Sequence, residues 1–218
     1  MARIQGNSEA GKLGNKIYYT WHGRQCERSM PTHVANPRTE AQQAHRSLFA
    51  QISKLSSYMK EAHLVGLHGQ AVREKNSTYA LFKRINKDCF TPDGEIDYPR
   101  IVVSKGSVRK ASITSVTVAD GLLTVIFDGY VYGGAATDMF FLFVYSSALC
   151  TGFLVDPIPR STGKVTALLP DEWLQTAAAN ASDNTNTLTH SHNQTFHLYA
   201  FLQGYRLRTS DTIYCMLQ

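Results

Sequence analysis

The chain has 218 residues, 43% hydrophobic and 18% charged, with a net charge of +5. That composition supplies a sizeable core and excludes a wholly disordered chain. The charge is uneven: residues 1–110 carry 18 Lys/Arg against 9 Asp/Glu (+9), and residues 111–218 carry 4 against 8 (−4), which points to two regions with different partners.

Residues 1–15 hold Gly6, Gly11 and Gly14 among Asn7, Ser8 and Asn15, and read as a flexible or irregular arm. Gly11-Lys12-Leu13-Gly14 lacks the pattern of a phosphate loop. Residues 16–28 read as a hairpin. Ile17, Tyr19 and Trp21 alternate with Tyr18, Thr20 and His22, and His22-Gly23 supplies the turn. Thr39 and Gln42 stand at capping-box spacing, Glu40 lies in the first turn, and Pro37 biases Asn36 toward extended backbone. Apolar Ala41, Ala44, Leu48, Ile52, Leu55 and Met59 then predict a helix over residues 39–61, broken at Gly66-Leu67-His68-Gly69. A second helix is predicted over residues 77–85, and Thr91-Pro92-Asp93-Gly94 marks a turn.

From Ile101 the period changes to that of short strands, at residues 101–103, 113–118, 122–127, 139–145, 149–155, 164–169, 195–202 and 212–217, with Asp120-Gly121 as a hairpin turn. Residues 180–186 are small and polar, a candidate mobile loop. The expected fold class is α+β: a basic arm, β-hairpin and two helices over residues 1–98, then an immunoglobulin-like antiparallel β-sandwich over residues 99–218.

Particular motifs also carry a resemblance. Gly11-Lys12-Leu13-Gly14-Asn15-Lys16-Ile17-Tyr18-Tyr19, Arg28-Ser29-Met30-Pro31 and residues 36–42 with Arg46 resemble the amino-terminal module of an uncharacterised Bacteroidota family of unknown function. Ala136-Thr137-Asp138, Leu168-Leu169-Pro170-Asp171-Glu172-Trp173, His197-Leu198-Tyr199-Ala200-Phe201 and Ser210-Asp211-Thr212-Ile213-Tyr214 are similar to its carboxy-terminal half. Trp21-His22 and Cys26 stand where that family more often has a basic-Asn-Gly turn and a plain strand. The Asn-Pro-Arg-Thr motif also resembles a module of hypothetical phage-encoded proteins, which implies assembly rather than catalysis.

Catalytic motifs are not found: G-x-S-x-G and H-E-x-x-H are missing. His190, His192 and His197 are the best metal candidates, but further ligands at zinc-site spacing are not evident, and no metal or other cofactor is expected. Asp93, Glu95 and Asp97 read as a solvated turn. Cys26, Cys89, Cys150 and Cys215 form no C-x-x-C pair and read as reduced structural thiols. No apolar run reaches the roughly 18 residues of a membrane span, and no signal region is seen. A cytoplasmic or virion-like setting without a membrane partner is therefore expected.

The expected function is a non-enzymatic structural or binding protein. Its partner surface would comprise Lys12, Lys16, Arg24, Arg28, Arg38 and Arg46, with Tyr19 and Trp21 as apolar anchors. The partner would be the protein itself or another protein in an assembly. The alternative is nucleic acid on the same basic surface, and a weaker third reading is sugar or peptide binding by loops near residues 130–134.

Overall fold

The computed structural model describes residues 3–5, 8–21, 23–32, 38–91, 94–129, 135–173 and 196–217. It has the α+β composition expected, and it forms two compact units, residues 1–43 and 44–218.

The first unit is an antiparallel sheet of four strands in chain order: β1 (Arg3–Gln5), β2 (Ser8–Leu13), β3 (Lys16–Trp21) and β4 (Arg24–Ser29). The expected hairpin is β3 and β4, although His22 of its turn lies outside the described residues. The expected irregular arm is instead two further strands. Gly14 is the reason: at φ +59° it forms, with Asn15, the tight turn that pairs Leu13 with Lys16.

Helix α1 (Glu40–Tyr58) starts where the capping signal places it. The Gln42 amide donates to Thr39 Oγ1 at 3.4 Å, and the side chain that reaches back is that of Gln43, donating to the Arg38 carbonyl at 2.9 Å. Asn36 and Pro37 lie outside the described residues.

The second unit stacks helices, a four-stranded sheet and a three-stranded sheet. After α1 come α2 (Lys60–Gly66), α3 (His68–Arg73) and α4 (Thr78–Asn86). The strands are β5 (Ser112–Ala119), β6 (Leu122–Asp128), β7 (Met139–Ser146), β8 (Thr151–Pro159), β9 (Lys164–Leu168), β10 (Phe196–Gln203) and β11 (Ile213–Leu217). They form antiparallel sheets of order β11-β10-β7-β8 and β5-β6-β9.

Strands β7 and β10 lie inside the stack, which explains their unbroken apolar runs: side chains alternate, and both faces are covered. Phe141, Phe143, Tyr145, Tyr199 and Phe201 join the helical core of Ile52, Leu55, Met59, Leu81 and Phe82. Phe140, Leu142, Val144, Leu198 and Leu202 meet Leu123, Val125, Phe127 and Val165 of the other sheet. Among the described residues, no helix is long and apolar enough to cross a membrane.

Four further expectations change. Residues 44–98 do not make a core apart from the strands, because the helices complete theirs with β7 and β10; the compact units divide between Gln43 and Ala44, not after residue 98. Gly66 does not end the helical region; it sits where a Cβ would lie 2.4 Å from the Val103 carbonyl oxygen, so glycine there permits close packing, and α2 and α3 flank buried Leu67. Residues 101–103 are held by side chains instead of a sheet: Asn86 Oδ1 accepts from the Val102 amide at 2.7 Å, and Thr212 Oγ1 accepts from the Val103 amide at 3.0 Å. Strand β8 also continues through Pro157, tolerated because β8 is an edge strand with a register shift there.

Candidate interaction surface

Residues directly opposite one another in an antiparallel pair share a face. The register sets Lys12 opposite Ile17, Ile17 opposite Arg28, Tyr19 opposite Cys26, and Trp21 opposite Arg24. Lys12, Tyr19, Trp21, Arg24 and Arg28 therefore lie on one face. All five side chains are exposed, Trp21 at 64%.

Lys16 lies on the other face. It pairs with Glu27 at 2.9 Å, and that hydrogen-bonded carboxylate raises the lysine pKa above its ordinary value. Thr20 Oγ1 donates to Gln25 Oε1 at 3.3 Å on the same side. Strand alternation has thus sorted the sheet. Across described β2–β4 side chains, one face carries Lys12, Arg24 and Arg28 with no carboxylate, and Glu27 sits on the other beside Lys16. No described side chain of this sheet is buried.

Two more expected residues stand elsewhere. Arg38 lies just before α1, where its carbonyl takes part in the helix start. Arg46 is exposed on α1 and belongs to the second unit. The expected eight thus reduce to five that share a face.

The second unit buries several titratable groups. His197, one of the expected metal candidates, is 4% exposed on β10. Its Nδ1 is 2.9 Å from the Tyr214 hydroxyl, and Tyr98 stacks on the ring at 4.0 Å. Burial lowers its pKa to about 4, so the imidazole is neutral. His190 and His192 lie outside the described residues, as do Asp93 and residues 130–134 and 180–186. His63 is similar: buried against Tyr79 and Phe82, with Nε2 2.9 Å from the Ser56 carbonyl, its pKa is lowered by desolvation. Burial also raises Tyr145 and Tyr199, whose hydroxyl donates to the Tyr98 carbonyl at 3.0 Å. Among the described residues, no three His, Cys, Asp or Glu side chains gather as metal ligands would.

Asp138 and Arg160 form a buried ion pair at 3.3 Å, with side chains 8% and 1% exposed. The Arg160 amide donates to the Asp138 carbonyl at 2.7 Å, and the Ala135 amide donates to Asp138 Oδ2 at 3.2 Å. The pair joins the start of β7 to the end of β8. Its position gives it a structural role, and nothing in the local sequence around either residue signals the pairing.

The model of the Family of unknown function (DUF6266) matches residues 8–177. That span takes in the sheet face and most of the second unit. No curated protein matches the chain.

Proposed function

The chain belongs to this family of unknown function, and we propose that it is a non-enzymatic structural or binding protein that assembles through the face of Lys12, Tyr19, Trp21, Arg24 and Arg28. The observation that carries this is the sorted sheet: cations and aromatics on one face, without a carboxylate among the described side chains, in a unit with no described buried side chain. A sheet gains stability by covering an apolar face, and Trp, Tyr and Arg are favoured interface anchors. The partner we favour is the acidic half, residues 111–218, of a neighbouring copy. The resemblance of residues 36–46 to a phage-encoded module supports assembly, in a virion-like particle or the cytoplasm. The resemblance to a Bacteroidota family adds no activity.

We read β5–β11 as an immunoglobulin-like scaffold. Lettered A to G in chain order, the strands fall as A-B-E and G-F-C-D. The constant-type arrangement is A-B-E-D with C-F-G, so the difference is one strand, β8, paired with β7.

Single-stranded nucleic acid is the second reading, favoured by aromatics and cations on one sheet face. Light scattering across protein and salt concentrations, with oligonucleotide anisotropy alongside, separates the two. Self-assembly predicts association that weakens only modestly with salt, because Tyr19 and Trp21 anchor it, and that is lost in the Tyr19→Ser/Trp21→Ser variant. Nucleic-acid binding predicts retention that falls steeply with salt and disappears in Arg24→Glu/Arg28→Glu. A chain that stays monomeric at high concentration and retains no oligonucleotide overturns both.

A further inference from the structure

A cleft of about 540 Å³ opens in the second unit between α3, residues 105–107 and the loop after β10. Four of its lining side chains are cations: Arg73, Lys105, Arg206 and Arg208. Among the described residues no carboxylate lines it, and none of the four cations makes an ion pair with a described carboxylate within 4.0 Å. Four like charges around one hollow repel one another, and an anion placed among them removes that repulsion. Three are guanidinium groups, whose planar forks match phosphate oxygens.

The walls are closely fitted. A Cβ on Gly106 would stand 1.9 Å from the Thr209 carbonyl oxygen, and one on Gly69 2.9 Å from that of Leu207. In the loop that carries Arg206 and Arg208, the backbone is left-handed at Arg206 and Leu207, both at φ +57°. Side-chain-bearing residues adopt that conformation at a cost and hold it where the surroundings require it. A neighbouring basin of about 420 Å³ shares Arg206 and Arg208 and adds Tyr205, which is 82% exposed with the Arg206 guanidinium 5.3 Å from its ring centre.

We propose that this cleft is a binding site for a small organic phosphate, its phosphate oxygens held by Arg73, Lys105, Arg206 and Arg208. The volume falls in the range of small-molecule sites, and the ridge at Tyr205 offers a ring surface for the organic part. The site is independent of the amino-terminal sheet and of what that sheet binds.

Calorimetric titration of the full chain with pyrophosphate tests this. Saturable binding with one site per chain is expected, weakened at least about tenfold in Arg206→Ala/Arg208→Ala, since each lost charge-assisted hydrogen bond is a strong one. Arg73→Gln, on a separate element, is expected to weaken binding in the same direction and keeps the test valid if the double variant does not fold. Arg24→Ser/Arg28→Ser is expected to bind as the unaltered chain does. Absence of saturable heat overturns the proposal. So does equal weakening by the sheet variant, which would mean general charge attraction. Displacement of pyrophosphate only by a single-stranded oligonucleotide, at far lower concentration than by a nucleoside monophosphate, would assign the cleft to nucleic acid and also overturn it.

Discussion

Strands β3 and β7 make a useful pair. β3 has two tyrosines and a tryptophan and buries none of them; β7 has three phenylalanines and a tyrosine and buries all four. β3 sets its aromatics beside polar and charged neighbours in a sheet whose charges are sorted by face, whereas β7 is covered by helices on one side and a sheet on the other. Aromatic content alone therefore does not separate a strand that builds a core from one that presents a surface. The companion residues on each face do: Arg24 and Arg28 beside Tyr19 and Trp21, against Phe201 beside Phe141, their rings stacked at 5.2 Å.

The two tryptophans allow the units to be followed separately, since Trp173 is 3% exposed in the second unit and Trp21 is 64% exposed in the first. With Trp21→Phe as background, Trp173 fluorescence reports the second unit. The largest effect is expected at the buried ion pair. Asp138→Ala leaves the Arg160 charge buried without its carboxylate and the Ala135 amide without its acceptor. Breaking such a pair costs about 3–5 kcal/mol, read as a lower urea midpoint. Asp138→Leu/Arg160→Met is expected to recover most of the loss, because apolar replacement of both partners removes the desolvation cost as well. A single variant as stable as the parent would mean that the pair does not hold β7 to β8.

The next effect comes from pH. Neutral His197, with its pKa lowered to about 4, is protonated far less readily in the folded chain than in the unfolded chain near 6.5. The unfolded state thus binds more protons between those values, and stability rises with pH across that window. The contribution is complete above about pH 6.5 and is lost as pH falls toward 4, amounting to about 3 kcal/mol. His63, lowered by burial too, acts in the same direction. His197→Phe keeps an aromatic ring beside Tyr98 and should flatten the dependence by the share of one proton. Urea midpoints from pH 7 to 4 that run parallel in the variant and the parent would place the titration elsewhere.

These two cases show what could be read in the sequence. β5–β11 were legible because turn residues such as Asp120-Gly121 punctuate short apolar runs, and α4 because Tyr79, Phe82 and Ile85 recur at helical spacing. Strands β1 and β2 were hidden because glycine marks both flexibility and tight turns, and Gly14 serves the second purpose. Of the proposed interaction surface, Tyr19 and Trp21 were legible in alternation and Arg24 and Arg28 on the returning strand, whereas Lys12 fell in a stretch that reads as an irregular arm. Alternation within β3 alone sets Lys16 on the face opposite Ile17, Tyr19 and Trp21, whereas the face of Lys12 needs the register across the Gly14-Asn15 turn. The cleft was not legible at all: residues 73, 105, 206 and 208 meet only through the fold, and two of its four cations come from the half of the chain with the acidic balance.

The smallest effect is expected at a contact shorter than that of the buried pair. Lys16 and Glu27 approach to 2.9 Å, closer than Asp138 and Arg160 at 3.3 Å, but both partners are about half exposed. Water already solvates each charge, so forming the pair exchanges one good environment for another, and salt screens what remains. Lys16→Gln should therefore leave the urea midpoint of the second unit, read at Trp173, unchanged. Tyr19→Ser/Trp21→Ser should also leave it unchanged, even though this variant removes two large aromatics, because neither is part of that unit's core. Self-association by light scattering should separate these two variants. It should survive Lys16→Gln, which alters the opposite face, and vanish in Tyr19→Ser/Trp21→Ser. Equal loss in both would mean that the sheet's integrity matters and not the face it presents, and the face assignment of the partner surface would then be wrong.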